Sequence, residues 1–90
     1  MELRVADRQA PEASVRRRAD TCDKVAGKER ELAGAARAKA QLAQDPGQRA
    51  NLEQLARVHD EAAALQTRAA THYRRLADLV ADKLPEASSG

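Results

Sequence analysis

Tryptophan, phenylalanine and isoleucine are absent from this chain, and Tyr73 is its single aromatic residue. β-Sandwiches and barrels rest on period-two runs of β-branched and aromatic side chains, whereas the eight Val and Thr residues here are scattered at helical spacings. An all-β fold is excluded, and α/β nearly so. A lone cysteine, Cys22, leaves no intramolecular disulfide to form, which points to the reducing cytoplasm. No apolar run approaches the roughly 20 residues that span a bilayer, and no charged segment followed by an apolar one opens the chain. It reads as soluble, unprocessed and without a membrane partner.

A dominant charge of one sign is lacking too. Sixteen Lys and Arg face fourteen Asp and Glu, for a net charge of +2. Ten basic and eight acidic residues lie in the first half through Asp45, and six of each follow. A dedicated nucleic-acid binder shows a one-sided basic stripe; here the signs are interspersed. The skew of twelve Arg to four Lys, with Ala and Leu replacing Ile and Phe, is what a GC-rich, bacterial-type genome produces.

What the chain has is alanine, 21 of 90 residues, with nine leucines and five valines. Alanine and leucine favour helix, and alanine adds little bulk, so the expected core is thin. Asp45-Pro46-Gly47-Gln48 reads as a helix start, with Asp45 as N-cap, Pro46 at the first helical position and Gln48 completing a capping-box-like pattern. The spacing predicts one long helix over 11–44 and a second over 46–84, with a stop at Leu84-Pro85. Residues 1–10 read as an arm or short helix and 85–90 as a disordered tail. A connection this short makes the helices antiparallel neighbours. The fold class is therefore all-α, a two-helix hairpin expected to dimerise into a four-helix bundle.

The second helix carries a heptad in which Leu55, Val58, Ala62, Leu65, Ala69, His72, Leu76 and Leu79 occupy the a and d positions, with Leu52 on the flank. The matching stripe of the first helix contains Val15, Cys22, Val25, Glu29, Leu32, Ala36 and Ala43. With the turn near residue 45, residues whose numbers sum to about 91 share a height, which predicts Leu55 on Ala36, Leu65 on Ala26 and Leu76 on Val15. Gly27 and Gly34, seven apart, are expected to let the backbones approach closely. Two helices of this kind bury too little to be stable alone, so the seam predicts association. The interface residues are Val15, Cys22, Val25, Leu32, Leu52, Leu55, Val58, Leu65, His72, Leu76 and Leu79, toward a second copy or a helical protein partner.

Chemistry-bearing patterns are sparse. His59 and His72 are thirteen positions apart, some 140° on a helix, so they do not converge on one ion. Neither has a His or Cys three or four residues away, and no metal, cofactor or catalytic residue is expected. His72 reads as a satisfied seam residue bonded to Asp20, and His59 as a flank residue near solvent. Glu29 at a seam position either snorkels to solvent, the favoured reading, or contacts His59 or an arginine and fixes register. Arg16, Arg17 and Arg18, with Arg74 and Arg75 at a similar height, form the one cluster suited to an anion, an acidic partner or nucleic acid. Ion pairs at i,i+4, Arg16 with Asp20 and Arg74 with Asp78, are expected to neutralise much of it.

The layout, about ninety residues with a bend at the midpoint, resembles the WxG-type secreted helical-hairpin proteins. At the bend, where that family carries Trp-x-Gly, this chain has Asp45-Pro46-Gly47. The Tyr-x-x-x-Asp/Glu export signal would start at Tyr73 and meets Ala77, with the acidic residue one place later at Asp78. No residue roles carry over. The functional expectation is a non-enzymatic helical interaction or oligomerisation module, with a small regulatory or nucleic-acid-associated accessory protein as the alternative.

Overall fold

A computed structural model describes residues 11–89, with side chains as far as Asp82. The expected arm over 1–10 and Gly90 lie outside the described residues. Helix α1 spans Pro11–Leu42 and helix α2 spans Pro46–Ser89, and the two pack along their length as an antiparallel hairpin of 68 × 25 × 12 Å. Among the described residues there is no strand, and no helix is long and apolar enough to cross a membrane.

The bend follows the sequence chemistry. Asp45 accepts a hydrogen bond at Oδ2 from the Gln48 N–H at 2.9 Å, and its carbonyl accepts from the Arg49 N–H at 3.0 Å. Free amides of the first turn of α2 are thereby satisfied, as an N-cap requires. Arg49 then reaches back so that its guanidinium donates to the Ala43 carbonyl at 2.7 Å, covering the end of α1. One short segment thus closes one helix and opens the next. Asp45→Ala is expected to cost about 1 kcal/mol, the usual value of a lost N-cap, read as a lower midpoint in thermal denaturation.

Two boundaries differ from expectation. α1 ends at Leu42 rather than near Gln44: the Ala43 N–H donates the last helical bonds, to the Lys39 and Ala40 carbonyls, and no further amide of the bend continues the series. α2 runs through Pro85 to Ser89, past the expected stop at Leu84-Pro85. Proline removes one i→i−4 hydrogen bond, but its ring fixes φ near the helical value, so the backbone need not leave the helix.

The packed seam is made of alanine. Ala19, Ala26, Ala33 and Ala40 on α1 and Ala56, Ala63, Ala70 and Ala77 on α2 recur every seventh residue and are 0–4% exposed. Ala36 joins Ala33 and Ala56 in one cluster. Every buried residue among those described is an alanine, and none is polar. Seven residues make nearly two full turns, so each series stays on one line of its helix. Methyl against methyl lets the backbones lie close.

This corrects the expected seam, in which leucines of α2 face alanines of α1. The contact line runs one position beyond Leu55 and Leu76, through Ala56 and Ala77, and leaves Leu55, Leu65 and Leu76 outside at 46%, 62% and 47% exposure. Small size, rather than hydrophobicity, selects which residues meet. The glycines are not the close-approach residues either: a methyl built on Gly27 or Gly34 meets nothing within 4 Å. They follow Ala26 and Ala33 by one position, turned about 100° from the seam.

Candidate interaction face

Positions relative to the alanine line sort the remaining side chains. In an antiparallel pair, residues four before a seam alanine on either helix lie on one face of the hairpin, and those four after lie on the other. The cross-helix contacts obey this rule. Arg37 and Asp60, four after Ala33 and Ala56, form an ion pair. Arg30 and Thr67, four after Ala26 and Ala63, are hydrogen-bonded at 2.7 Å. Arg74, four after Ala70, binds Asp23, four after Ala19, and also Asp20 at 3.1 Å. Arg16 joins the same face, donating to Asp78 at 2.9 Å and to Glu12 within α1 at 2.8 Å.

Electrostatically, Arg16, Arg37 and Arg74 on this face are each paired with carboxylates. The Arg16 guanidinium is held above its ordinary pKa by hydrogen bonds to Glu12 and then Asp78, that of Arg37 by Asp60, and that of Arg74 chiefly by Asp23. The bonds run between helices or back to Glu12, so the expected Arg16–Asp20 and Arg74–Asp78 pairs along one helix are replaced by Arg16–Asp78 and Arg74–Asp20 across the hairpin. Across the hairpin, Arg74 serves two carboxylates of α1 at once, Asp20 and Asp23, where pairing along α2 would give it Asp78 alone. The five-arginine cluster is accordingly divided. Arg16 and Arg74 are engaged, while Arg17 and Arg18 border an open hollow with Ser14, Thr21, Cys22 and Tyr73.

The opposite face is apolar. Val15, Cys22 and Leu52 lie four before seam alanines, and Val25, Leu32, Leu55 and Leu76 one before. Val58, Leu65, His72 and Leu79 continue it round the outer edge of α2. Val25, Leu32, Leu55, Val58, Leu65, Leu76 and Leu79 are all exposed, at 38–62%. Of the eleven expected interface residues, Val15, Cys22, Val25, Leu32, Leu52, Leu55 and Leu76 lie on this face, and Val58, Leu65, His72 and Leu79 lie on the outer edge of α2, turned about 200° from its seam. His72 is exposed, and its expected partner Asp20 is bound by Arg74 instead.

One ionisable pair interrupts the apolar surface. Glu29 and His59, four before Ala33 and Ala63, meet with His59 Nδ1 2.7 Å from Glu29 Oε2, both side chains 23% exposed. The favoured reading of Glu29 as snorkelling to solvent, and of His59 as a flank residue, gives way to this cross-helix contact. The alanines on either side are too small to cover a carboxylate, and the imidazole is the polar group within reach. No three His, Cys, Asp or Glu side chains come together among the described residues. Cys22 is a free, half-buried thiol.

No family model matches the chain, and neither a curated protein nor a solved structure matches it.

Proposed function

We propose that this chain is a non-enzymatic helical interaction module that works through its apolar face. The observation that carries the reading is the division of the hairpin into two unlike faces. On one side the charged residues bind each other across the helices. On the other, seven Val and Leu side chains remain exposed along both helices. A contiguous apolar surface of this kind marks a protein-contact site in a water-soluble chain, where isolated exposed leucines do not. The internal seam supports the same conclusion. A buried methyl contributes about 0.8 kcal/mol against about 1.5–3 kcal/mol for a buried leucine or valine, so an alanine-only core leaves most of the available hydrophobic stabilisation unused until the outer face is covered. A cytoplasmic setting suits the unpaired Cys22.

Site-specific photocrosslinking in the native host tests the reading. A photoreactive residue at Val58 or Leu65 is expected to give discrete adducts, with a second copy or with another protein, that excess unlabelled chain competes away. The same probe at Arg30 or Asp60, on the ion-paired face, is expected to give none. Equal labelling from both faces, or none from either, would overturn the assignment.

A further inference from the structure

We infer that the occupant of the apolar face is a second copy of this chain, laid face to face with both bends at the same end, so that two Glu29–His59 pairs interlock at the centre of a four-helix bundle. The inference rests on the apolar-face reading and adds the partner and its orientation.

Three observations single out a second copy. First, the apolar surface extends from Val15 to Leu32 on α1 and from Leu52 to Leu79 on α2, about 42 Å of the hairpin at 1.5 Å per residue. A partner has to be as long and as apolar on one side, and the chain itself meets both conditions. Second, an apolar stretch about 42 Å long across two helices each about 10 Å wide has a footprint of about 840 Å², which matches the roughly 800 Å² per partner that a stable interface takes. A second copy covers it fully; a single short helix does not. Third, the central Glu29–His59 pair on the face is self-complementary. Between the exposed Arg18 and Lys39 at its two ends, the Glu29–His59 pair stands as one acceptor beside one imidazole.

Orientation follows from height. In the hairpin, residues whose numbers sum to about 92 lie level, as Ala36 and Ala56 do in their shared cluster. A two-fold axis along the long dimension places α1 of one copy on α2 of the other at the same heights. It then sets Val15 against Leu76, and puts Val25 and Leu32 level with Leu65 and Val58, which flank the contact from the outer edge of α2. Glu29 of one copy comes against the partner's His59 and the reverse, so each carboxylate gains a second imidazole and each imidazole a second acceptor. Bends at opposite ends, with the apolar stretches overlaid, move the two pairs more than about 15 Å apart and set His59 level with the His72 of the other copy. Neither imidazole then gains a second carboxylate, which disfavours that arrangement.

Sedimentation equilibrium and spin labelling test this together. Purified chain at tens of micromolar is expected at twice the monomer mass, with a melting midpoint that rises over a hundredfold increase in concentration. Leu65→Glu, at a side chain the lone hairpin leaves exposed, is expected to weaken self-association at least tenfold, and Gln41→Glu on the opposite face to leave it unchanged. Should Leu65→Glu also lose its helix, the concentration-dependent midpoint of the unaltered chain still decides the matter. A nitroxide at Gln44→Cys in a Cys22→Ala background of verified dimer mass is expected to report a bend-to-bend distance below about 30 Å; a distance near the 68 Å length of the molecule overturns the orientation. A folded monomer with a concentration-independent midpoint overturns the second copy. If photocrosslinks from Val58 then lead to a different protein, the interaction-module reading stands without it; if they lead nowhere, both fall.

Discussion

Ala63→Leu is expected to destabilise the hairpin by about 3 kcal/mol, the upper part of the range for overpacking, and to lower the melting midpoint by 12–24 °C at about 4–8 °C per kcal/mol. Ala63 is 2% exposed and sits on the line where the helices meet. Three added carbons there have no cavity to enter, and relief by spreading the helices would open the neighbouring alanine layers at Ala56 and Ala70 as well. The matched control is Ala64→Leu. That residue is exposed, one position off the seam, and the helix propensities of the two exchanges are the same, so its effect is expected within 0.5 kcal/mol. Thermal melts of the two variants at one protein concentration give the comparison. Equal midpoints would show that the alanine line is not the packed seam, and the assignment of the two faces would fall with it.

The elements and their antiparallel pairing were legible because they depend on local chemistry. Asp45, Pro46 and Gln48 specify a helix start by hydrogen bonding that acts within four residues, and the shortness of the bend leaves one topology. The exposed apolar residues were legible as well, since Leu and Val at heptad spacing stand out against alanine. Their role within the hairpin was not. A reading that ranks side chains by hydrophobicity puts Leu55 and Leu65 into the nearest seam, yet in an isolated pair of helices closest approach is decided by size, and the alanines at 56, 63, 70 and 77 pack first. With 21 alanines in the chain, that series is hard to pick out by composition. It becomes visible when alanine is sought every seventh residue on both segments, at 19, 26, 33 and 40 as well. The same line then predicts the cross-helix partners. Residues four after a seam alanine meet on one side, as Arg37 and Asp60 do, and residues four before meet on the other, as Glu29 and His59 do. Intrahelical i,i+4 arithmetic misses these pairs because it has no knowledge of the second helix.

Gly27→Ala combined with Gly34→Ala is expected to stabilise the chain by about 2 kcal/mol and to raise the melting midpoint by 8–16 °C. Glycine in a helix interior is about 0.8–1.0 kcal/mol less favourable than alanine, because it leaves more backbone freedom in the unfolded chain. The gain is realised where the new methyl meets no obstacle, and no atom lies within 4 Å of a methyl built at either position. Both glycines follow seam alanines by one residue and so belong to the ion-paired side, which keeps them outside the proposed face-to-face contact. The double variant therefore separates the two sides in one experiment. A higher midpoint with unchanged mass in sedimentation shows that this side is free of partners. A lower midpoint, or loss of self-association, would mean that a second chain approaches the glycine side closely, and the apolar face would no longer account for how this molecule pairs.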